Sequence, residues 1–397
     1  MTPLPFEQHR PTWAEIDLDR LAANLASVRA RAEGPAIMAV VKADAYGHGA
    51  VPVARRLERE GVEWLGVALP EEGVELRRGG VRAPILVLGG FTPAQAPMLL
   101  AERLTPTLFR AEQIEALDRC AAERGEPVDA HLKIDTGMGR LGTPVTGLPA
   151  LCEALARAPR LRLSGACSHL AAADDPGDPY TAAQLQEFLR GVNLLRGRGH
   201  APAHLHLANS AALVDHRSTW MTLARPGLLL YGYNASPRTA IPVRPILSLR
   251  THLIDLRELP AGASVGYGRA WKAPELASVA TLGIGYADGL PRAAGNRAEV
   301  LVRGRRAPIV GRVSMDMTTI DVSAVPEAEV GDVATVVGTD GGDALGADAL
   351  AAACGTITWE ILARLGSRVP RLHVEGDART LETRFPAPLS PRPGGAL

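Results

Sequence analysis

The chain has 397 residues, enough to bury a large core in more than one domain, and its 43 basic and 43 acidic side chains cancel. This balance gives no indication of a nucleic acid or an anionic membrane as partner. Residues 1–20 lack the apolar core of a signal peptide, no run reaches the roughly 20 apolar residues that span a bilayer, and the four cysteines lack metal-ligand spacing. We expect a cytoplasmic protein with free thiols and no metal site.

From about Ala14 to Gly232, short apolar runs alternate with stretches of helical period. The predicted strands are Ile37–Val41, Trp64–Leu69, Ile85–Leu88, Thr107–Phe109, Ala130–Ile134, Leu163–Ser168, His204–Ala208 and Leu223–Tyr231. The predicted helices are Val51–Glu60, Glu71–Arg78, Ala94–Arg103, Glu112–Glu123, Leu148–Ala156 and Ala182–Arg196. Eight strand–helix units in roughly 200–220 residues predict an α/β fold, a (β/α)8 TIM-type barrel. A doubly wound sheet is the alternative, but no GxGxxG follows its first strand.

The pattern changes near Pro245 to short runs rich in Val, Ile and Thr. These runs are Ser248–Leu256, Ser278–Ile284, Glu299–Val302, Ala307–Val313, Thr318–Val322 and Asp332–Val337, with helical segments near Ala347–Ala353 and Thr358–Leu365. They predict a C-terminal mostly-β domain. We therefore divide the chain into a barrel domain (1–242), a β domain (243–382) and a disordered, proline-rich tail (383–397).

Chemically reactive side chains follow several predicted strands, at the face where barrels of this kind place their active sites. Lys42 ends an apolar strand, and a buried ammonium group is costly unless it is paired or used in chemistry. Arg140, His169 and Arg225 follow other strands. Any one of them alone is more often a loop residue than a catalyst, but together they indicate an active site.

The last two strand ends have the groups that bind a phosphate. Ser210 offers a hydroxyl after the seventh strand, and Gly227 and Leu228 offer backbone N–H groups after the eighth. The free amine of Lys42 is the species that forms an imine with a carbonyl. A phosphate site and an imine-forming lysine at one barrel mouth predict pyridoxal 5′-phosphate as cofactor.

Eight motifs, in order, resemble those of the alanine racemase family and extend from Thr12 to about Val374. They are AVVKADAYGHG, HLKIDTGMGRLG, HLANSAA, ARPGLLLYG, SVGYG, IGYADGLPR, VGRVSMD and GTITWEILARLGSRVPR. The resemblance implies a pyridoxal-phosphate barrel followed by a β domain, in a head-to-tail homodimer whose sites are completed by the partner. It also implies interconversion of L-alanine and D-alanine on a cofactor aldimine, supplying D-alanine for peptidoglycan.

The resemblance assigns two bases to the Cα proton: Lys42, and Tyr267 from the other subunit. The residues that it assigns to the cofactor are Lys42, Tyr46, Arg140, His169, Asn209, Ser210, Arg225, Gly227, Leu228 and Trp359. Those assigned to the substrate carboxylate are Arg140, Met315 and Asp316, and those assigned to the access channel are Asp174, Tyr286, Arg292 and Arg312. Lys133 matches a lysine that the family carries as a carbamate, which orients Arg140.

Arg225 matches the arginine that faces the pyridine nitrogen of the cofactor. A guanidinium group does not give up its proton, so the ring nitrogen is expected to stay largely unprotonated and side reactions to be few. A barrel-type amino-acid decarboxylase would instead have a carboxylate at this position. A cofactor-carrying homeostasis protein without enzymatic activity would consist of the barrel alone, without the domain that contains Tyr267.

Trp359 departs from the family pattern, which usually has a tyrosine that contacts the phosphate and narrows the access channel. The indole retains one donor, and we expect it to donate to the phosphate. Its larger ring leaves open a broader-specificity amino-acid racemase, acting for example on serine, lysine or arginine.

Overall fold

The structure, a computed structural model, describes residues 10–236 and 238–384. It forms two compact units. The barrel unit consists of Arg20–Ala45 and Ala50–Arg244, and the β unit consists of the described residues up to Asp19, Tyr46–Gly49 and the described residues from Pro245. The predicted tail beyond residue 384 lies outside the described residues. No helix formed by residues 10–236 or 238–384 is both apolar enough and long enough to cross a bilayer.

Eight parallel strands form the sheet of the barrel unit. In spatial order they are Leu223–Ala224, Ala36–Val40, Trp64–Val67, Ile85–Val87, Thr105–Leu108, Val128–Asp135, Leu161–Cys167 and His204–His206. A short strand, Thr143–Pro144, pairs with Val128–Asp135. Between the last strand and the first, loop hydrogen bonds continue the ring, from Thr222 N to Leu205 O (3.1 Å) and from Arg225 N to Ala208 O (2.9 Å). The predicted barrel is therefore confirmed as a nearly closed one.

Helices of the expected amphipathic kind alternate with these strands. They are Leu18–Arg31, Ala50–Arg59, Pro70–Arg78, Ala96–Ala101, Ala111–Arg124, Leu148–Ala156, Tyr180–Gly197 and Ser210–Asp215. In Ala50–Arg59 the buried residues are Ala50, Val53, Ala54 and Leu57, spaced as one helix face requires. Fully burying a side chain such as Leu57 contributes about 1.5–3 kcal/mol to stability, so each such face holds its helix in place.

The β unit consists mainly of antiparallel strands and two helices. The strands are Thr12–Asp17, Leu247–Leu259, Ser264–Val265, Trp271–Lys272, Ala277–Leu282, Glu299–Val302, Arg305–Pro308, Thr318–Asp321, Val333–Asp340, Asp343–Leu345, Arg371–Glu375 and Ala378–Glu382. The helices are Ala347–Cys354 and Thr358–Ala363. This architecture confirms the predicted mostly-β second half.

The strand Thr12–Asp17 is part of the β unit's sheet, although the sequence placed this segment in the barrel domain. It pairs antiparallel with Leu247–Leu259 and parallel with Arg371–Glu375, so that Ala14 lies opposite both Leu249 and Arg371. An alternating strand shows which of its faces is buried but not which sheet it joins. Its partners lie more than 230 residues away in the chain, so no local pattern could identify them.

Candidate active site

Lys42 lies two residues after the end of the strand Ala36–Val40, at the start of a single helical turn, Lys42–Gly47. The turn is left-handed: Ala43, Asp44, Ala45 and Tyr46 all have φ between 50° and 55°. Left-handed helical conformation costs roughly 1–2 kcal/mol for each residue that is not glycine. The surrounding structure must therefore hold this turn, and strain of this kind concentrates at functional sites.

Two carboxylates fasten the strained turn. Glu72 Oε1 accepts a hydrogen bond from Ala43 N (2.7 Å), and its other oxygen accepts one from Ala68 N (2.7 Å). Asp44 Oδ1 accepts one from Ala50 N (2.7 Å). The turn is thus tied to the loop after the next strand, which fixes the direction in which the Lys42 side chain leaves the backbone.

The environment of Lys42 favours its uncharged form. Burial and the nearby positive charge of Arg140 lower the pKa of Lys42 from 10.5, against a smaller opposing effect of Glu72. A lower pKa means a larger fraction of free amine at neutral pH. The free amine is both the nucleophile toward carbonyls and a proton acceptor.

Lys42 belongs to a cationic cluster that also contains Lys133, Arg140 and Arg225. Burial, followed by Arg225, Arg140 and Lys42, lowers the pKa of Lys133, while Cys167 opposes this shift. Positive groups that repel one another in a confined space are costly unless a lysine gives up its proton or an anion joins them. The cluster therefore fits a ligand with more than one negative group.

His169 is influenced by the positive charges of the same four residues. Burial and the charges of Arg225, Lys133, Arg140 and Lys42 lower its pKa to about 3. The imidazole is therefore neutral at physiological pH. A neutral ring beside four cations can accept a hydrogen bond or stack on a flat ligand without adding another positive charge.

Ser210 and Gly227 meet after the last two strands, as the sequence predicts. Gly227 N donates to Ser210 Oγ (2.9 Å), which leaves the hydroxyl hydrogen available to donate to a ligand. Asn209 Oδ1 caps the short helix that follows by accepting from Ala212 N (3.0 Å). Leu228 is buried beside Gly227. The described geometry thus gives Asn209 a role in holding the Ser210 segment.

Arg225 is buried, and each of its terminal nitrogens is used. Nη1 donates to His206 Nδ1 (2.9 Å), and Nη2 donates to the backbone oxygens of Ser168 (2.7 Å) and Leu207 (3.2 Å). These bonds fix the plane of the guanidinium group. Burial lowers the pKa of Arg225, but an arginine in a protein remains charged.

Gln184, which the sequence analysis missed, joins two of the active-site loops. Its Nε2 donates to Thr136 Oγ1 (3.2 Å) and His169 O (3.0 Å), and its Oε1 accepts from Ala171 N (2.8 Å). Its side chain is only 1% exposed. A glutamine on the buried face of the helix Tyr180–Gly197 was a sequence signal that could have been recognised.

We expect Gln184→Leu to lower the free energy of unfolding by about 1–3 kcal/mol, because it leaves Ala171 N without its acceptor and His169 O without its donor. Gln186→Leu on an exposed position of the same helix is the matched control and should change it by less than about 0.5 kcal/mol. Urea unfolding measures both. Equal effects of the two substitutions would contradict the bridging role.

The other predicted site residues, except Asp174, Tyr46 and Trp359, lie on loops of the β unit. Tyr267 is 72% exposed on the turn Tyr267–Arg269, between glycines with φ of 69° and 70°. A Cβ at Gly268 would lie 2.9 Å from Arg312 Nη1, so the glycine allows the Arg312 guanidinium to lie against this turn. The structure thus brings Arg312 beside the backbone that presents Tyr267.

The neighbouring loops of the β unit are hydrogen-bonded to one another. Tyr286 N donates to Ser314 O and Ala287 N to Met315 O, both at 3.0 Å. Gly295, after the turn Arg292–Ala294, packs against Gly311 O and Arg312 Cα. The surface of these loops exposes large side chains, namely Tyr267, Tyr286, Met315 and Met317. Several exposed aromatic and methionine side chains on one face are typical of an interaction surface.

Asp288, a second residue that the sequence analysis missed, anchors these loops. It is fully buried and accepts from Arg10 Nη1 (2.5 Å), Arg368 Nε (2.8 Å) and Gly285 N (2.9 Å). Arg368 Nη2 also donates to Asp316 Oδ1 (2.6 Å). Burial acts to raise the pKa of Asp288, but the hydrogen bonds from Arg10 and Arg368 outweigh it and hold this pKa below its usual value.

Asp288→Asn is expected to lower the free energy of unfolding by about 2 kcal/mol at pH 7, because hydrogen bonds to a charged group are lost. Since the folded-state pKa is depressed, this stability is present above the unfolded value of about 3.9 and is lost as the pH falls toward the folded value. The difference between wild type and variant should therefore shrink below pH 4 in urea titrations. Asp316→Asn, at an exposed ion pair, should cost less than about 1 kcal/mol at pH 7. A pH-independent difference for Asp288→Asn would refute the ionic contribution.

Tyr46, Asp174 and Trp359 complete the predicted set. Tyr46 is buried, and burial raises its pKa to about 12, so its hydroxyl stays protonated. Asp174 is exposed in the loop that follows Leu161–Cys167. Trp359 is 39% exposed on the helix Thr358–Ala363. The roles given to these residues stay predictions.

Residues 16–235 match the family described as alanine racemase, N-terminal domain, and residues 246–373 match alanine racemase, C-terminal domain. The chain belongs to the alanine racemase family. The resemblance of its motifs to this family is thus confirmed, and with it the prediction of an enzyme, an isomerase that racemises an amino acid. The two family matches together cover most of the chain.

Individual relatives agree with this assignment. An alanine racemase of Symbiobacterium thermophilum is 43% identical over 366 residues, 92% of this chain and 97% of that protein. The structure resembles that of the biosynthetic alanine racemase of Pseudomonas aeruginosa (TM-score 0.82, 38% identity, 92% of this chain and 100% of that one). It also resembles an alanine racemase of Bacillus anthracis solved with bound L-Ala-P (TM-score 0.89, 33% identity, 96% and 99%).

Proposed function

We propose that this enzyme interconverts L-alanine and D-alanine with pyridoxal 5′-phosphate and two bases on opposite faces of the substrate. The observation that carries the proposal is the cationic cluster around Lys42, in which a lysine of lowered pKa ends a barrel strand. Alanine as substrate is supported by the relatives, which are named alanine racemases.

The residues of the barrel unit fit the cofactor. Its phosphate needs hydroxyl and N–H donors, and Ser210, Gly227 and Leu228 lie together after the last two strands. Its negative groups match Arg140 and Arg225, which stay charged, and Tyr46, on the turn that begins at Lys42, is a further proposed contact whose hydroxyl stays protonated. When bound, pyridoxal phosphate supplies an electron sink that stabilises negative charge at the substrate Cα.

Lys42 and Tyr267 are the proposed bases. Lys42 Nζ takes the Cα proton from one face or returns it there, and its lowered pKa supports this exchange near neutral pH. Tyr267 Oη does the same on the opposite face, contributed by a second copy of the chain in a homodimer. The exposure of Tyr267 together with Tyr286 and Met315 supports this arrangement, because a partner would cover these side chains.

Arg225, Arg140 and His169 are proposed to orient the cofactor and the substrate. The fixed guanidinium of Arg225 would donate to the ring nitrogen without protonating it, which limits the electron sink and suppresses side reactions. Arg140 would pair with the substrate carboxylate, with Met315 and Asp316 of the partner close to the same group. The neutral ring of His169 would lie beside the cofactor without competing for its negative charges.

Lys133 is the proposed site of a carbamate. It is buried near three cations, and burial together with their charges lowers its pKa, so its free amine is available to react with carbon dioxide. The N–C bond forms as one amine N–H bond breaks and its proton leaves to solvent, so the carbamate would be negative and would pair with Arg140. We expect native mass spectrometry of the wild-type protein to show a carbon dioxide adduct that Lys133→Ala lacks.

Trp359 allows a second candidate function, a racemase of broader specificity, because its ring differs in size from the tyrosine that usually narrows the access channel.

A separate prediction concerns the indole N–H of Trp359. If it donates to the cofactor phosphate, Trp359→Phe should weaken cofactor binding roughly tenfold, whereas Trp359→Tyr should restore it because its hydroxyl is a donor. Equilibrium dialysis of pyridoxal phosphate measures the affinities. Equal affinity of wild type and Trp359→Phe would refute this role.

A substrate survey tests the function. Purified, cofactor-loaded enzyme is incubated with L-alanine, L-serine, L-lysine or L-arginine, and the enantiomers are separated by chiral chromatography. We expect alanine to be racemised with the highest kcat/KM, consistent with a biosynthetic role in the cytoplasm as a source of D-alanine for peptidoglycan. Faster racemisation of another amino acid would replace alanine by the broader-specificity candidate.

A further inference from the structure

Two buried histidines form consecutive hydrogen bonds with Arg225, and a glycine on the strand between them leaves room for this contact. His131 lies on the strand Val128–Asp135, and His206 lies on the strand His204–His206, with Leu161–Cys167 between these two strands. Gly165 of the middle strand is in register with His131. A Cβ at Gly165 would lie 2.4 Å from His131 Cδ2, so the ring occupies the space that the missing side chain leaves. The glycine therefore allows His131 to reach His206.

The hydrogen bonds assign the proton positions on both rings. Arg225 Nη1 can only donate, so His206 Nδ1, 2.9 Å away, must accept. His206 therefore carries its proton on Nε2, which lies 2.8 Å from His131 Nδ1. His131 Nδ1 must therefore accept a hydrogen bond from His206 Nε2, and the neutral His131 ring carries its own proton on Nε2. Each of the two hydrogen bonds thus has an assigned donor. Arg225 Nη1 donates to His206 Nδ1, and His206 Nε2 donates to His131 Nδ1.

Both rings must be neutral for this chain to exist, and their surroundings keep them so. Burial, followed by the charges of His204 and Arg225, lowers the pKa of His131 to about 3. Burial and Arg225 lower the pKa of His206 well below its ordinary value. The ring of His204 stacks on that of His131, with centroids 5.7 Å apart. The centroid of the Trp64 ring lies 5.3 Å from that of His131.

Stability alone does not explain His131. Its Nε2 is buried and has no hydrogen-bond partner among the residues that the structure describes. An unpaired buried N–H costs free energy, and apolar side chains at positions 131 and 206 together would avoid that cost. Buried polar groups kept at a cost to stability are expected where function requires them.

We propose that His131 is a positioning residue, whose Nδ1 accepts from His206 Nε2, holds the His206 ring in place and thereby holds the Arg225 guanidinium in its active orientation. Without an acceptor at position 131, the buried Nε2–H of His206 is unpaired, and the ring gains by rotating toward another acceptor. Rotation takes His206 Nδ1 away from the Arg225 Nη1 donor and leaves the guanidinium free to move. The effect on rate rests on the proposed function of Arg225, whereas the assignment of the proton positions does not.

Three variants test the proposal. His131→Leu removes the acceptor and should lower kcat roughly tenfold, with KM for alanine changed less than about threefold. His131→Asn places an amide oxygen near the position of Nδ1 and should restore kcat to within about threefold of wild type. Gly165→Ala crowds the ring and should resemble His131→Leu although it changes no polar group. The unfolding temperatures of the three variants should not rank in the same order as their kcat values.

Nitrogen NMR of ¹⁵N-histidine-labelled, full-length protein supplies the readout that is independent of activity. Wild type and His131→Asn should show His206 protonated on Nε2, and His131→Leu should shift both ring nitrogen resonances of His206, because Nε2–H loses its acceptor and Nδ1 loses the bond from Arg225. A wild-type His206 protonated on Nδ1, or unchanged His206 resonances and kcat in His131→Leu, would overturn the proposal. If the wild-type protein fails to racemise alanine, the proposed function fails, while the His206 resonances still decide the role of His131.

Discussion

Lys42→Ala is expected to abolish racemisation, with a loss of at least roughly 10⁴-fold in kcat/KM, because one side chain supplies both the bond to the cofactor and one of the two bases. The lowered pKa of this amine is caused by burial and by Arg140. Lys133 has the same functional group but leaves the barrel from a different strand, Val128–Asp135. We therefore propose that the chemistry belongs to Lys42 alone and not to either lysine interchangeably.

Racemisation rates with and without added methylamine measure this effect. A small amine that enters the space left by Lys42→Ala should restore part of the proton transfer, and the restored rate should rise with the concentration of the free amine. Lys272→Ala, at an exposed strand end of the β unit, is the control and should keep wild-type activity. A Lys42→Ala enzyme with more than a few per cent of wild-type activity would refute the assignment.

Tyr267→Phe is expected to lower racemisation roughly 10²- to 10⁴-fold, the usual range for loss of one general base. The ring remains and only the hydroxyl is lost, so the turn Tyr267–Arg269 should keep its conformation. Because Lys42 still acts on its own face, the variant should exchange the Cα hydrogen of one enantiomer with solvent without inverting it. Proton NMR of each enantiomer in heavy water measures the exchange. Exchange of both enantiomers at equal rates would contradict two separate bases.

Mixing the two inactive variants tests whether each site contains residues of both subunits. After random exchange of subunits in a symmetric dimer, half of the dimers contain one chain of each kind, and each of these has one intact site and one with both defects. Activity should therefore return to about a quarter of the wild-type value. No recovery, although mixed dimers are present by native mass spectrometry, would place Tyr267 and Lys42 of each site on the same chain.

Local patterns predicted the elements whose partners lie close in the sequence. The helix Leu148–Ala156 has the bounds that the sequence indicates, and the strand ends bearing Lys42, His169 and Arg225 follow from alternation of strands and helices. The meeting of Ser210 and Gly227 was also predictable, because consecutive parallel strands end at the same face of a barrel.

Long-range pairing and unusual backbone geometry were not predictable. The Gly-rich motif around Lys42 indicated a turn, but nothing in it indicated that Ala43 to Tyr46 would be left-handed, since none of these residues is a glycine. Gln184 and Asp288 act through hydrogen bonds with residues far away in the chain, so their roles depend on the completed fold. His131 gave no signal beyond its place in the motif HLK.

The most direct test of the central claim follows optical rotation and Cα deuterium together while cofactor-loaded wild-type enzyme acts on L-alanine in heavy water. The account predicts loss of rotation with deuterium in both enantiomers, because each base returns a proton drawn from solvent on its own face. Deuterium entering L-alanine while the rotation stays constant would mean that the Cα hydrogen is exchanged on only one face of the substrate. The proposal that Lys42 and Tyr267 act as two bases would then be wrong.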